Sequence, residues 1–213
     1  MIPPQLLRYT ISSIRRLISL ILLLVSYAAV ASEGYQVGDV VQNFSLKSTE
    51  GQTISLSDYA SHKGVVIVFT ANQCPFSRAY EERLIALEKK WAPEGFRILA
   101  INPNDPGTNE DDSMERMKER ANSMGYPFPY LADPTKEVTR VFGAKRTPHV
   151  FILSNKGGKF MLVYQGTIDN NPQDASAVTK NYVEETLANL LARKPVETTV
   201  TRAIGCAIKW REL

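Results

Sequence analysis

Strands that alternate with helices predict an α/β domain with a central mixed sheet flanked by helices. Three observations carry this reading: the continuous apolar run Val65-Val66-Ile67-Val68-Phe69, a helical apolar spacing that begins soon after it, and a late strand pair joined through Asn155-Lys156-Gly157-Gly158. One such domain accounts for residues 34–193 and leaves 194–213 as a C-terminal tail. An apolar content of 44% with 9% aromatics is ordinary for a packed core of that size.

Phe44 to Lys47 and Thr53 to Leu56 read as an N-terminal hairpin turned at Glu50-Gly51-Gln52. Gly64 to Thr70 lacks polar alternation, as expected of a strand buried on both faces. Tyr80, Leu84, Leu87 and Trp91 then recur at helical spacing until Pro93 and Gly95 end the helix. Arg97 to Ile101 is a second apolar strand, Ser113 to Met124 a polar amphipathic helix, and Thr135 to Phe142 a short third helix. His149 to Leu153 and Met161 to Gln165 form an antiparallel pair. Gln173 to Arg193 is predicted as one closing helix, with Val178, Val183 and Leu187 on its apolar side and Pro195 as its stop. Asp111-Asp112, Glu81-Glu82 and the charges from Glu115 to Arg120 read as solvated faces.

Residues 1–31 stand apart. Arg8, Arg15 and Arg16 precede an apolar run from Leu17 to Val25, and Ala29-Val30-Ala31 supplies a small-residue cleavage site, the pattern of a secretory signal peptide. Leu17 to Ala31 is shorter than the roughly 20 residues a bilayer span needs. The expectation is an exported protein, periplasmic or extracellular, with no stable membrane association once the leader is removed. Three of the 25 basic residues and none of the 22 acidic ones leave with it, so 22 of each remain and the formal charge is zero. Without a basic excess, nucleic-acid binding has no electrostatic support.

An oxidising compartment lets disulfides persist, and two cysteines are too few for a disulfide scaffold. They are a structural staple, a redox pair, or one active thiol beside a bystander. Cys74 follows the buried strand and precedes Pro75, which suits the first position of a helix. As the helix N-cap its thiolate would be favoured by unpaired backbone N–H groups and the helix dipole, lowering its pKa below the free value of about 8.5. Arg78 would deepen that effect, while Glu81 and Glu82 one turn later oppose it. Ser77 stands where a C-x-x-C motif has its second thiol, so it offers a hydrogen bond to the sulfur but no disulfide.

In this setting the sequence resembles the thioredoxin-like redoxins, in the peroxiredoxin-like branch of the alkyl hydroperoxide reductase and thiol-specific antioxidant group. The matching blocks are Val37-Gly38-Asp39 through Phe44-Ser45-Leu46, Leu56-Ser57-Asp58-Tyr59, Phe69 to Ser77, Ala100 to Asp105, Pro127 to Leu131 and Thr147-Pro148. In the tail, Gly205-Cys206-Ala207-Ile208-Lys209-Trp210 is similar to a recurring ending of the branch. The resemblance implies a thioredoxin-like fold, Cys74 as the attacking cysteine, and Pro148 after Thr147 as the cis-proline facing it. The chain departs from thioredoxin in lacking the second thiol of the motif. It departs from peroxiredoxins in lacking their Pro-x-x-x-Thr-x-x-Cys arrangement, since Thr70 lies four residues before Cys74.

The leading expectation is a thiol-disulfide oxidoreductase with Cys74 as nucleophile and Cys206 as resolving thiol if the tail folds back, with Trp210 as its anchor. Its partners would be a disulfide or thiol substrate, protein or small molecule, and an electron donor. Peroxide reduction by the same thiol and a non-catalytic binding module are the alternatives. No cofactor is expected, and His149 with His62 makes a poor metal set, so His149 reads as a hydrogen-bonded structural residue.

Overall fold

The computed structural model describes residues 34–209, so the predicted leader and Trp210 lie outside the described residues. Ten strands are present among them: β1 (Val40–Val41), β2 (Ser45–Ser48), β3 (Thr53–Ser55), β4 (Gly64–Phe69), β5 (Phe96–Asn102), β6 (Tyr130–Ala132), β7 (Arg146–Thr147), β8 (His149–Lys156), β9 (Lys159–Gly166) and β10 (Cys206–Ala207). Four α-helices accompany them: α1 (Pro75–Trp91), α2 (Met114–Met124), α3 (Glu137–Phe142) and α4 (Tyr182–Leu191). Eight strands form one sheet in the order β1-β9-β8-β4-β5-β6-β2-β3, while β7 and β10 form a separate ribbon.

The centre of the sheet follows from its sequence. β4 runs parallel to β5 and antiparallel to β8, and all six of its residues are buried. Successive side chains point to opposite faces. Val66 and Val68 therefore join Tyr80, Leu84 and Trp91 of α1, Met117 of α2, and Val183 and Leu187 of α4 in one core. Val65, Ile67 and Phe69 join Val138 and Phe142 of α3, Leu56, Tyr59 and, from the tail, Ile208 in the other. An apolar β-branched run is what a strand covered on both faces requires.

Several predicted elements are corrected by the structure. The closing helix is only α4, because Asn170 has already taken the backbone groups upstream. Its side-chain oxygen accepts from the N–H groups of Thr179 and Lys180, both at 3.1 Å, and its own N–H donates to the Lys180 carbonyl. Val178 thus lies in a loop after a short 3-10 turn, Ala175–Ala177. Glu81 is not solvated: it is 5% exposed and accepts from the Arg120 Nε at 2.8 Å and the Tyr126 hydroxyl at 2.6 Å, tying α1 to α2. Asp112 is likewise 2% exposed rather than on a solvated face. β1 and β6, too short to stand out as patterns, were not foreseen as strands.

A second tie fixes α1 to the segment that follows β9, at the same end of the sheet as Cys74. Asp169, fully buried, accepts from the Tyr80 hydroxyl at 2.8 Å and from Arg83 at 2.6 Å. The helix that begins beside Cys74 is therefore held by ionic or polar contacts on two sides as well as by its apolar stripe. Among the described residues, no helix is long and apolar enough to cross a membrane.

Candidate functional site

Cys74 caps α1 just beyond the C-terminal end of β4, with an extended backbone (φ −74°, ψ 116°) and Pro75 in the first turn. The missing N–H of Pro75 leaves nothing unpaired there. β8 lies antiparallel to β4 and begins at His149, opposite Phe69, so the cis Thr147–Pro148 peptide just before it is brought to the same end of the sheet. The Cys74 Sγ is 2.8 Å from the Thr147 carbonyl oxygen. That contact is a hydrogen bond only when the sulfur carries a proton, so in the reduced state it favours the thiol while the helix N-terminus favours the thiolate.

The tail closes over this turn. β10 pairs antiparallel with β7, placing Cys206 opposite Thr147 and Ala207 opposite Arg146. Arg146 donates to the Gly205 carbonyl at 2.8 Å, the Ile208 N–H donates to the Lys145 carbonyl at 3.1 Å, and the Ile208 side chain is buried in the core. Trp210, foreseen as the anchor, is outside the described residues, and Ile208 performs the anchoring that the structure displays. Gly205 is needed for the close approach, because a Cβ there would stand 2.1 Å from the Thr147 carbonyl oxygen. Cys74 and Cys206 are joined as a disulfide with their Cα atoms 6.0 Å apart, inside the usual span. Cys74 is 4% exposed, and Cys206 is half-buried.

Other predicted site residues take different places. The Ser77 hydroxyl is buried and accepts from the Ala71 N–H at 3.4 Å, so it supports the loop before Cys74 and makes no hydrogen bond to the sulfur. Arg78 is also spent on that loop, donating to the Asn72 carbonyl at 2.7 Å and to the Gln73 side chain at 3.0 Å. The loop is further held by Asp112, which sequence reasoning missed. Its carboxylate accepts from the Asn72 N–H at 3.2 Å and from the side-chain amides of Asn102, Asn104 and Asn109 at 2.9, 2.9 and 3.0 Å. Tyr130, whose pKa burial pushes well up, stays a neutral donor to the Asn72 side chain at 3.0 Å. The available signal was the density of amides and acids in Asn102-Pro103-Asn104-Asp105 and Asn109 to Asp112.

His149 packs against Phe151 with ring centroids 4.4 Å apart, and its buried Nδ1 has no hydrogen-bond partner among the described residues. The expected hydrogen-bonded histidine is thus a packed one at that atom. Burial, followed by the nearby Lys145 charge, lowers its pKa from 6.5 to about 4. Between those values the unfolded chain binds a proton that the fold refuses, so stability declines as pH falls from 6.5 toward 4, with a slope approaching 1.4 kcal/mol per pH unit, about one proton's worth. Urea unfolding from pH 7 to 4.5 is expected to show this slope in the wild type, and the wild-type minus His149→Gln difference should contain it.

Comparison with known proteins agrees with the geometry. Residues 37–163 match the AhpC/TSA family. A thiol-disulfide oxidoreductase ResA of Geobacillus thermodenitrificans is 30% identical over 135 residues, which span 62% of this chain and 71% of that one. The crystal structure of an uncharacterized conserved protein from Geobacillus kaustophilus superimposes with a TM-score of 0.77 at 35% identity, covering 83% of this chain and 93% of that chain. Peroxidoxin BcpB of Mycobacterium tuberculosis shares the fold, with a TM-score of 0.57 at 20% identity over 74% of this chain and 97% of that chain. With the family match covering more than half of the chain and thiol-disulfide oxidoreductases among its relatives, the chain is a thioredoxin-like redoxin enzyme and belongs to the AhpC/TSA family.

Proposed function

We propose that this protein is an exported thiol-disulfide oxidoreductase in which Cys74 attacks and Cys206, delivered by the tail, resolves. The observation that carries the reading is the register of β10, which sets Cys206 opposite Thr147 and within bonding reach of Cys74. In the reduced protein, the Cys74 thiolate attacks one sulfur of a substrate disulfide, forming a mixed disulfide and releasing the other sulfur as a thiolate. The Cys206 thiolate then attacks the Cys74 sulfur and releases the remaining substrate thiolate. Two electrons pass to the substrate, and the Cys74–Cys206 disulfide remains. An external thiol donor then reduces it.

The monothiol motif supports this assignment, since Ser77 cannot form a disulfide and the second sulfur must come from outside the motif. The name of the ResA relative supports the reaction class, and the leader pattern supports action outside the cytosol. Peroxide reduction is the second reading, favoured by the family match. There, peroxide would convert Cys74 to a sulfenic acid, and Cys206 would condense with it to give the same disulfide and water.

A redox titration tests the pair. Protein equilibrated against graded ratios of reduced and oxidised dithiothreitol or glutathione, then trapped with a thiol-alkylating reagent, is expected to open and close the bond reversibly as one two-electron couple. Its midpoint should lie above the roughly −300 mV below which structural disulfides fall. A bond that opens only when the domain unfolds would make the pair a staple and end the proposal.

A further inference from the structure

The cavity beside the disulfide holds a lysine that the proposed chemistry has not used. This cavity, of about 190 Å³, is lined by Cys74, Cys206, Asp105, Asp112, Lys136 and Lys209, among others. It is smaller than the roughly 300–1,000 Å³ of drug-sized sites, so it suits a compound of amino-acid size. Lys136 is 6% exposed, but its Nζ is not one of the buried polar atoms, so the stem is covered while the ammonium opens onto the cavity with no hydrogen bond or ion pair to a described residue. The nearby carboxylates are engaged elsewhere. Asp112 has its carboxylate filled by four amide N–H donors, and Asp105 accepts from the Gly107 N–H at 2.8 Å.

The backbone of Lys136 adds a second, independent observation. Its φ of 59° places it in the left-handed region, which a long side chain enters at a cost and which asparagine or glycine would occupy more readily. Strain of this kind persists where the surrounding structure holds it, and it gathers at ligand sites. Here it delivers the lysine to the wall of the cavity that also contains both sulfurs.

We propose that Lys136 binds a carboxylate of the substrate, and that the substrate class is a small disulfide bearing a carboxylate near its sulfur atoms. This rests on the reading of Cys74 as the nucleophile. With the carboxylate on Lys136, the substrate's disulfide lies in the cavity against Cys74. The Cys74 thiolate attacks the nearer substrate sulfur, the substrate S–S bond breaks, and the first half leaves as a carboxylate-bearing thiolate. Cys206 attacks the Cys74 sulfur, and the second half leaves in the same form. The products are two small thiols and the protein disulfide, with no further oxidant or reductant.

The test compares dithiodipropionate, a disulfide with a carboxylate at each end, with hydroxyethyl disulfide, which is neutral and of similar size. Reduced protein is mixed with each, and formation of the Cys74–Cys206 bond is followed by rapid quenching and mass spectrometry. The wild type is expected to react faster with the dicarboxylate by about tenfold, the effect of one charge-assisted contact. In Lys136→Asn, a residue that accepts the same backbone, that ratio should collapse to about one, and in Lys136→Arg it should return in large part. Equal rates for the two disulfides in the wild type, or an unchanged ratio in Lys136→Asn, would overturn the carboxylate site while leaving the exchange chemistry standing. A reduced wild type inert to both disulfides would overturn the exchange reading itself.

Discussion

Reduced Cys206→Ser protein is expected to accumulate a mixed disulfide on Cys74 when given a small disulfide, whereas Cys74→Ser should form no adduct at Cys206 on the same timescale. Exchange turnover should fall at least about 10³-fold in Cys74→Ser, the scale of losing a nucleophile. Cys206→Ser should complete the first step near the wild-type rate and stop there. The asymmetry follows from position. Cys74 stands at the N-terminus of α1, where the helix dipole favours a thiolate, while Cys206 lies in a two-residue strand with no helix behind it. Both variants lose the same cross-link, which joins residues 132 apart and is worth about 4–5 kcal/mol in chain-entropy terms. Any common loss of stability therefore cancels between them, and the difference reports the chemistry. Intact-mass spectrometry after alkylation reads both outcomes. A stable adduct on Cys206 in Cys74→Ser, formed as fast as the one on Cys74, would reverse the assigned roles.

The parts of this site that were legible from sequence are those governed by local periodicity. The run Val65 to Phe69 is apolar without alternation because both faces of β4 are covered, and that alone places Cys74 at a strand-to-helix turn. Pro75 marks the helix start for a reason internal to one residue. What was not legible depends on partners far along the chain. Glu81 and Asp112 look like surface charges because nothing nearby in sequence reveals Arg120, Tyr126 or the amides of Asn102 and Asn104. Asn170 shortens the last helix through bonds to residues nine and ten positions ahead. Gly205 reads as an ordinary loop glycine until the Thr147 carbonyl is placed beside it. The tail itself carries too little pattern to announce a strand, since β10 is two residues long and owes its register to β7.

Asp112→Ala is expected to be the most destabilising single change in the loop that supports Cys74, by about 3–5 kcal/mol. The alanine removes an ionised acceptor from four N–H donors at once. Each such bond contributes about 1.5–3 kcal/mol, but the contributions do not add, because the side-chain amides of Asn104 and Asn109 are able to turn toward the adjoining cavity and its water. The Asn72 N–H has no such escape. It is backbone, in a residue 6% exposed, whose side chain is already committed to the Asp111 carbonyl and the Tyr130 hydroxyl. For a domain of this size the loss corresponds to a fall in Tm of roughly 10 °C. Asp112→Asn should recover no more than about half of it, since one of the two acceptor oxygens becomes an amide that faces donors. Scanning calorimetry of the two variants beside the wild type supplies the comparison, and a loss below about 1 kcal/mol for the alanine would mean that the network is merely filled by water. The same substitution should also slow closure of the Cys74–Cys206 bond at temperatures where the fold is intact, because Asn72 stands two residues before the nucleophile and Asp112 is what holds its backbone in place.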